Sequence, residues 1–566
     1  MKRIFLLLIG VVLLGGFLRF YHLGDVPAGF HRDEAFLGYN AYSILKTGKD
    51  MNDISLPLHL KSFLYSPAGY SYASIPFIAA FGLNALSIRF ASALFGTMTI
   101  FSTYLLVLEL FRKLEIENWK LRAIALLSAL LLAVSPWHIN LSRVATENTI
   151  VVFFITLGTL LYLIWHRNNK LVFLLASFFS FGLTIFIYQA SRAFLPLFIP
   201  VLLIAYRKRI RLSVAIFFLT ILIPIVLIFR SPTLSLRLNT ISIFSNAETQ
   251  LTLDESLRED GVAKQPTILA RAFHNKAVAY TQLLVQNYFS HFSYPFLFTD
   301  KGLPDRYRIP NQGILYLVEL PLLLIGLYAL FKERKPYSWL LLSWIFLAPV
   351  GSSIAFDDVP NLQRTLLAFP ALSIAAALGL VEGINLTAKA KRSLIGLPAR
   401  HRYAQALAGG LAYWIIGLFA TFNVASYLHS YYIHQPIHRP WSRHEGYKEL
   451  VAKTNELLPN YQKAIITDRQ SAPTIFFLFF GKYDPEKFQE DTRTSTFPDY
   501  DRIAFANYEF SQEECPLQID KTGQGITGKP EILYVNFGTC KTPEGATELA
   551  VIRRGDSSIV FRILSL

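Results

Sequence analysis

Long apolar stretches limit most strongly how this chain can fold. An α-helix needs about 20 mostly apolar residues to cross the hydrocarbon core of a bilayer. The 566 residues contain eleven stretches of this kind: 4–22, 88–111, 121–136, 147–165, 171–188, 193–206, 213–230, 312–331, 337–352, 365–386 and 405–428. Only 16% of the residues are charged, against about 25% in an average soluble protein. The sequence therefore predicts an α-helical polytopic membrane protein.

Basic residues are concentrated in alternate loops between these stretches. Cytoplasmic loops of membrane proteins are enriched in Lys and Arg. One set of loops carries Lys2, Arg3, Arg112, Lys113, Lys120, Arg122, Arg167, Lys170, Arg207, Lys208, Arg209, Arg211, Lys332, Arg334, Lys335, Lys389, Lys391, Arg392, Arg400 and Arg402. The opposite short loops carry only Arg143, Arg192 and Arg364. We predict a cytoplasmic N-terminus, an uncleaved first helix and an outer C-terminus. Because the Lys and Arg residues lie in short clusters between the apolar stretches, the net charge of +15 does not indicate a nucleic-acid partner.

Three long segments fall on the outer side in this topology, namely the loops 23–87 and 231–311 and the tail 429–566. We predict a transmembrane domain over 1–430 and a small extracytoplasmic α/β domain over 431–566. Within the tail, the pattern predicts a helix at 447–458 and strands at 464–467, 502–506, 532–536 and 558–564.

Both cysteines, Cys515 and Cys540, lie in the predicted outer domain. A disulfide persists in such a compartment, so the two residues are candidates for a disulfide. Two unpaired thiols are the alternative.

The first outer loop carries adjacent ionisable side chains at His31, Arg32, Asp33 and Glu34. A partly desolvated carboxylate at a membrane surface can act as a general base on a hydroxyl or an amine. Asp33 and Glu34 are therefore candidate catalytic residues, although neighbours on a helix point about 100° apart and do not share one role. The alternative is that both are N-terminal charges of a surface helix that begins near Ala35, stabilised by the helix dipole.

Basic residues at the outer membrane edge form a second group. Arginine binds phosphate through two parallel hydrogen bonds, so these residues would hold an anionic lipid head group if they converge. They are Lys61, Arg143, Arg192, Arg306, Arg308 and Arg364. Each of them alone is better explained as a solvated charge at the membrane edge.

Aromatic and histidine side chains at the same level form a third group. His31, Tyr188, His291 and Tyr294 are candidates for contacts with a sugar or an acceptor, and aromatic anchoring at the membrane interface is the alternative. The sequence contains no Walker loop, HExxH pair, GxSxG elbow or CxxC motif. This disfavours a nucleotide-driven pump and a zinc protease. We predict no cofactor.

Several of these residues belong to motifs that resemble a known family. The motifs are Asp33-Glu34, Gly38-x-Asn40-Ala41, Thr47-Gly48-x-Asp50, Ser66-Pro67, Ser87-x-Arg89, Ser135-Pro136-Trp137-His138, Ser142-Arg143, Tyr188 to Arg192, Arg306-x-Arg308-x-Pro310-x-x-Gly313, Pro360-Asn361-x-x-Arg364 and Pro370. In these residues the chain resembles the polytopic GT-C glycosyltransferases, in particular the family of protein O-mannosyltransferases and lipid A aminoarabinose transferases. The resemblance covers residues 1 to about 430.

The resemblance implies an inverting transfer of a sugar from a polyprenyl-phosphate donor on the outer face of the membrane. Asp33 would be the catalytic base. Lys61, Arg306, Arg308 and Arg364 would stabilise the phosphate that leaves, without a metal. Lys61 departs from the family pattern because it precedes Ser66-Pro67 by several residues. The implied partners are a lipid-linked sugar, membrane lipid and an acceptor that remains open: a protein, a glycolipid or a cell-wall polymer.

Two other functions remain as alternatives from the sequence. One is a ligase or polymerase that moves a whole lipid-linked oligosaccharide. The other is a transporter or flippase, suggested by Glu319 within the eighth stretch, because ionisable residues inside membranes are commonly functional. The loop 231–311 lacks the pattern of the β-trefoil domain found in eukaryotic O-mannosyltransferases, and this favours a bacterial or archaeal plasma membrane.

Overall fold

The fold is that of a computed structural model. The structure describes residues 2–61, 66–112, 117–229, 240, 242–261, 268–301, 303–393, 399–493, 501–519 and 526–566. Parts of the outer loop predicted at 231–311 and of the basic segment around 387–403, predicted to be cytoplasmic, lie outside the described residues.

Helices make up most of the described chain. They are α1 (Lys2–Phe20), α2 (Arg32–Thr47), α3 (Gly69–Phe81), α4 (Ala85–Leu110), α5 (Asn118–Val134), α6 (Pro136–Ser142), α7 (Glu147–Asn168), α8 (Leu171–Ile187), α9 (Ala190–Ala205), α10 (Ile210–Phe229), α11 (Ala247–Gly261), α12 (Ile268–Phe273), α13 (Lys276–Ser290), α14 (Tyr294–Phe298), α15 (Glu319–Glu333), α16 (Pro336–Leu347), α17 (Val350–Ser353), α18 (Leu362–Thr365), α19 (Ala371–Ser393), α20 (Ala399–His429), α21 (Tyr447–Leu457), α22 (Pro473–Phe480) and α23 (Pro485–Arg493).

Each of the eleven predicted apolar stretches coincides for most of its length with one helix. The eleven helices are α1, α4, α5, α7, α8, α9, α10, α15, α16, α19 and α20. Of the described helices, α1, α4 and α7 are long and apolar enough to cross a membrane without a break. Two bent pairs raise the number of such crossings to five: α5 with α6, bent by 55°, and Leu362–Ala368 with α19, bent by 53°. The helices are thus confirmed, whereas length and composition alone establish three to five crossings.

The bend between α5 and α6 is explained by its sequence. Pro136 lacks a backbone N–H and is tolerated in the first turn of a helix, where no partner is needed. The side chain of Ser135 accepts a hydrogen bond from the backbone N–H of His138 at 3.4 Å, which caps the new helix. The chain therefore turns at Ser135 and carries α6 towards the region where the first outer loop lies.

Close helix packing depends on glycine in one pair. Helices α15 and α19 pack against each other, and a Cβ atom added to Gly326 would overlap the carbonyl oxygen of Ala375. A Cβ atom on Gly379 would overlap the carbonyl oxygen of Leu322 in the same way. Small residues at such contacts let two backbones approach, as is common between membrane helices.

The C-terminal domain is a five-stranded mixed sheet with helices. The strands of the described chain are β1 (His59–Leu60), β2 (Ser66–Pro67), β3 (Lys463–Thr467), β4 (Tyr508–Ser511), β5 (Ile532–Phe537), β6 (Thr547–Arg553) and β7 (Ile559–Ser565). The strand order of the sheet is β4-β3-β5-β7-β6, and a two-stranded hairpin of β1 with β2 lies in the first outer loop. Strand β3 is parallel to β4 and β5, whereas β7 is antiparallel to β5 and β6.

The strand predicted at 502–506 is wrong. Only Phe505 of that segment makes a bridge, to Tyr508, and the ladder with β3 begins at Tyr508. Ala506 has a φ of 46°, so the chain turns at this point before the strand starts. Ile503 and Phe505 are both buried and alternate with the period of a strand. The segment does not form the hydrogen-bonded ladder of a strand.

The C-terminal domain packs directly on the first outer loop. Helix α22 packs against α2, and the side-chain amide of Gln489 donates to the carbonyl of Asp50 at 2.7 Å. The backbone N–H of Phe30 donates to the carbonyl of Arg443 at 2.9 Å. The beginning of α2 therefore lies between the helical domain and the C-terminal domain.

A disulfide joins Cys515 and Cys540, which are 25 positions apart. Closing a loop of this length stabilises a fold by about 3 kcal/mol, mainly by limiting the unfolded chain. We expect the Cys515→Ser, Cys540→Ser double variant to become protease-sensitive within 431–566 at a lower temperature than the wild type. Wild-type protein in reductant should match the variant. Equal temperatures for the variant and the oxidised wild type would contradict this expectation.

Candidate active site

A cavity of about 520 Å³ lies at the N-terminus of α2. Its walls come from the first outer loop, from the start of α7, from the segments around 306 and 357–364, and from the C-terminal domain. Its acidic lining residues are Asp33, Glu34, Glu147, Asp357, Asp358 and Asp501, and its basic lining residues are Arg32, Arg306, Arg364 and Arg443. Tyr188, between α8 and α9, also lines the cavity, so the site draws on six parts of the chain that are far apart in sequence.

The local sequence determines where α2 begins and how Asp33 is presented. His31 has an extended backbone and is the N-cap, with its Nδ1 atom accepting from the backbone N–H of Asp33 at 3.3 Å. The Glu34 carboxylate accepts from the backbone N–H of His31 at 3.3 Å, which completes a capping box. Two thirds of the Asp33 side chain, 66%, remains exposed in the cavity.

The surroundings of Asp33 keep its carboxylate ionised. Desolvation by the cavity walls raises its pKa, but His31, Arg32 and Arg306 act in the opposite direction. The net effect holds the pKa of Asp33 well below its usual range, because nearby positive groups favour the charged form. Asp33 is therefore an anion at neutral pH that is open to the cavity.

Glu34 has a different position. Its side chain is only 6% exposed and forms a two-pronged ion pair with Arg89, at 2.9 Å from Arg89 Nε and 3.0 Å from Arg89 Nη2. It also accepts from the backbone N–H of Ala145 at 2.9 Å. Both oxygens are thus engaged in joining α2 to α4 and to the loop before α7. We assign Glu34 to positioning rather than to the chemical step predicted for it.

Arg306 and Arg364 are the two candidate phosphate ligands that line the cavity. Arg306 pairs with Asp358 at 2.6 Å, and its buried Nε atom has no hydrogen-bond partner. Arg364 donates from Nη1 to the carbonyl of Asp357 at 2.8 Å. The other two arginines of the cavity are held by protein groups: Arg32 lies 4.0 Å from Asp501, and Arg443 donates to the carbonyls of Ala28 and Gln435.

Arg143 lies outside the cavity lining, in contrast to the prediction. It is fully buried and donates to the carbonyls of Leu18, Tyr21 and Val26. Its guanidinium group also lies 5.4 Å from the ring centre of Tyr431. These contacts attach the end of α1 to α6, so its charge is used inside the fold.

Three further basic residues of the predicted group are also outside the cavity lining. Arg192 donates to the carbonyl of Ile185 and lies 3.0 Å from Nε2 of His59. Arg308 lies 3.5 Å from Asp305. Lys61 follows the first strand of the hairpin, and its carbonyl accepts from Asn52 at 3.1 Å. Proximity at the membrane edge therefore did not bring all six cations together.

The predicted aromatic and histidine contacts also separate. His31 and Tyr188 line the cavity. His291 is buried, and its Nε2 atom accepts from the backbone N–H of Asn361 at 3.1 Å. Asn361 is the N-cap of the short helix α18, which carries Arg364. His291 therefore holds the segment around Arg364 in place and does not itself line the cavity. Tyr294 is 52% exposed at the start of α14, away from the cavity lining.

Several cavity residues were missed by the sequence analysis. Asp357 and Asp358 lie in the same predicted outer loop as Arg364. Their negative charges beside this candidate residue could have indicated that they belong to the site. Glu147, at the start of α7, resembled an ordinary helix N-terminal charge. His444 and Asp501 belong to the C-terminal domain, and nothing in the sequence relates them to α2.

The cavity has the groups needed for the transfer of an electrophile to a hydroxyl. An ionised carboxylate can accept the proton of the attacking group, and arginines stabilise a negative charge that develops on a leaving group. Among the described residues, no group of three or more His, Cys, Asp or Glu side chains is arranged to hold a metal ion.

Comparison with known sequences gives a match to one family. Residues 66–235 match the family of dolichyl-phosphate-mannose-protein mannosyltransferases. An uncharacterized protein of Aquifex aeolicus (strain VF5) is 32% identical over 180 residues, which is 31% of this chain and 32% of the relative. The chain thus spans about a third of that relative's length.

The chain is also similar to solved structures. The apo form of the Archaeoglobus fulgidus oligosaccharyltransferase is 14% identical with a TM-score of 0.50, covering 84% of this chain and 64% of that protein. ArnT from Cupriavidus metallidurans is 14% identical with a TM-score of 0.49, covering 99% and 97%, and it has also been solved with undecaprenyl phosphate bound. The chain therefore spans just under two thirds of the archaeal enzyme.

The family match and the archaeal fold agree with the resemblance seen in the motifs, which is confirmed. The chain is a polytopic membrane protein of the GT-C fold that carries the protein mannosyltransferase family pattern over residues 66–235.

Proposed function

We propose that this protein is an inverting glycosyltransferase. It transfers a sugar from a polyprenyl-phosphate donor to an acceptor on the outer face of a bacterial or archaeal plasma membrane. The observation that carries the proposal is the presence of an ionised Asp33 and of Arg306 and Arg364 in one cavity. The donor class follows the family match, whose members are described as acting with dolichyl-phosphate mannose.

Each of these groups would have a role in one displacement. Asp33 accepts the proton of the acceptor hydroxyl while the hydroxyl oxygen attacks the anomeric carbon from the face opposite the phosphate. The bond from that carbon to the phosphate oxygen breaks, and its electron pair leaves with the polyprenyl phosphate. The configuration of the sugar is inverted.

The leaving group explains why two arginines are useful. A sugar phosphodiester carries one negative charge, and the phosphate that leaves carries up to two near neutral pH. Arginine contributes most where charge develops in the transition state. Arg306 is paired with Asp358. The phosphate would accept hydrogen bonds from the Nε atom of Arg306, which has no partner within the protein, and from Arg364.

The cavity favours a single sugar over the ligase alternative. Its volume of about 520 Å³ lies within the range of pockets for small molecules. The observation that suggested a transporter also has a local explanation, because Glu319 begins α15 and accepts from the backbone N–H of Tyr316 at 2.9 Å. The acceptor would be a protein or a glycolipid, and the sugar a hexose or a pentose.

The decisive experiment is release of undecaprenyl phosphate by purified protein in liposomes. The donors are undecaprenyl-phosphate hexoses and pentoses, and a membrane extract supplies the acceptors. We expect release with one donor class. No release with any donor, from folded protein, would overturn the proposal.

Arg306→Ala and Arg364→Ala should each weaken the binding of undecaprenyl phosphate by about 10- to 100-fold, because each removes a charge-assisted hydrogen bond. Binding to protein in nanodiscs measures this effect without a donor sugar. The matched control is Arg308→Ala, which removes a nearby guanidinium group outside the cavity lining and should change binding less than twofold. Equal losses in all three variants would indicate a general charge effect and contradict the assignment.

A further inference from the structure

Two histidine rings from distant parts of the chain meet beside Asp33. The ring centres of His31 and His444 are 4.8 Å apart, with 40° between the ring planes. The Nδ1 atom of His31 lies 3.2 Å from an Asp33 carboxylate oxygen, Oδ2. Both histidines line the cavity. The contact of His31 with the carboxylate is therefore within the distance of a hydrogen bond.

The hydrogen bonds of His31 indicate which atom would receive a proton. Its Nδ1 atom accepts from the backbone N–H of Asp33 at 3.3 Å, so the uncharged ring directs its lone pair at Nδ1 towards this side. A proton taken up by Asp33 Oδ2 would then lie within reach of that lone pair. The same geometry serves the protonated ring, which forms an ion pair with the ionised carboxylate.

Asp33 by itself is a weak base. Beside an uncharged His31, Arg32 and Arg306 still lower the pKa of Asp33, whereas general-base catalysis is most effective when the pKa of the base is near the working pH. Imidazole has that property in general, with an unperturbed pKa of about 6.5. A proton that reaches Asp33 is therefore held only weakly there.

We propose that Asp33 and His31 act as a dyad, in which Asp33 Oδ2 takes the proton of the acceptor hydroxyl and passes it to Nδ1 of His31, and that His444 positions the His31 ring. The inference rests on the proposed function and extends it. The acceptor oxygen uses a lone pair to bond the anomeric carbon, and the broken bond leaves its electron pair on the polyprenyl phosphate. The proton ends on His31, and the ring returns to its neutral form by losing a proton to water.

His444 is suited to positioning rather than to proton transfer. Burial, followed by the effects of His31 and Arg32, lowers the pKa of His444 to about 3, so its ring is uncharged at neutral pH. It also packs against Phe476, with ring centres 5.6 Å apart. Through His444 and Phe476, the C-terminal domain thus packs against the His31 ring of the first outer loop.

Acidic and basic groups surround His31. Those that line the same cavity include Arg32, Asp33, Glu34, Arg306, His444 and Asp501. The Glu34 charge is paired with Arg89, and Asp501 lies towards Arg32. Asp33 is in direct contact with the His31 ring.

His31→Asn separates the two roles of His31, because asparagine retains the N-cap but cannot carry a proton. In the undecaprenyl phosphate release assay we expect this variant to be about 10²- to 10⁴-fold slower. Imidazole in solution should restore part of the rate in His31→Ala, which a purely structural role of the ring would not allow. A wild-type rate in His31→Asn would overturn the inference while leaving the proposed function intact.

His444 is tested by two substitutions with different sizes. His444→Phe keeps a ring against His31 and should retain most of the activity, whereas His444→Ala should lower it by about tenfold. Binding of undecaprenyl phosphate should be unchanged in both. Equal activity of the two variants would contradict a positioning role for the ring.

A measurement without any sugar donor tests the interaction between Asp33 and His31. Diethyl pyrocarbonate modifies only the uncharged imidazole, and mass spectrometry reports the modified fraction of His31 between pH 5 and 8. The modification profile should shift to lower pH in Asp33→Asn, because the carboxylate that favours the charged ring is removed. Identical profiles in the two proteins would overturn the dyad, whichever sugar the enzyme transfers.

Discussion

Asp33→Asn should reduce sugar transfer by about 10²- to 10⁴-fold, the usual contribution of a general base. The amide has nearly the same shape as the carboxylate but cannot take a proton from the acceptor. The release of undecaprenyl phosphate in liposomes measures the effect. Since 66% of the Asp33 side chain is exposed, the thermal unfolding midpoint should change little, and binding of undecaprenyl phosphate should persist.

The matched control for this variant is Asp25→Asn. Asp25 lies in the same outer loop, is 76% exposed and is not part of the cavity lining. It should keep wild-type activity. Normal turnover in Asp33→Asn would remove Asp33 as the base, and equal losses in both variants would indicate a general effect of charge in the loop.

Arg89→Ala should cause the largest loss of stability among these variants. Removing one partner of a buried ion pair leaves an uncompensated charge and costs about 3–5 kcal/mol. Arg89 and Glu34 are only 1% and 6% exposed, and Arg89 also donates to the carbonyls of Leu23, Pro27 and Gly29. We expect a lower unfolding midpoint in detergent and, because α2 loses its anchor, a loss of transfer as well.

The control for Arg89→Ala is Arg112→Ala. Arg112 is 49% exposed and lies 3.6 Å from Glu109, and surface ion pairs of this kind contribute about 0–1 kcal/mol. Its midpoint should stay close to that of the wild type. The double variant Arg89→Met, Glu34→Gln should recover part of the lost stability, since it removes both charges. Equal midpoints for Arg89→Ala and Arg112→Ala would contradict the structural role of the pair.

The helices were predictable because their cause is local. An apolar stretch in a bilayer must satisfy its own backbone hydrogen bonds, and a helix does so within the segment. The ends of the helices were less predictable, since they depend on caps such as Ser135 before α6. The strand expected at 502–506 shows where the hydrophobic pattern fails as a predictor. Ile503 and Phe505 alternate as in a strand, but a strand forms only where a neighbouring strand offers free hydrogen-bonding groups.

Several residues of the site could be predicted from the sequence, but the groups that each residue contacts could not. Asp33, His31, Arg306 and Arg364 were all named from the sequence and all line the cavity. Arg143 has the same charge and the same expected depth, yet its donors are taken by carbonyls at the end of α1. Sequence cannot distinguish these cases, because the nearest acceptor of each arginine lies on a distant part of the chain.

Reading the sequence was enough to predict the apolar helices, the C-terminal α/β domain and the carboxylate in the first outer loop. Those features follow from hydrophobicity, charge and short-range hydrogen bonding, which act between residues close together in the chain. The pairing of Glu34 with Arg89 and the contact of His444 with His31 became apparent only in the folded chain. Both contacts join segments separated by tens to hundreds of residues, and their free energy exists only once the domains have packed.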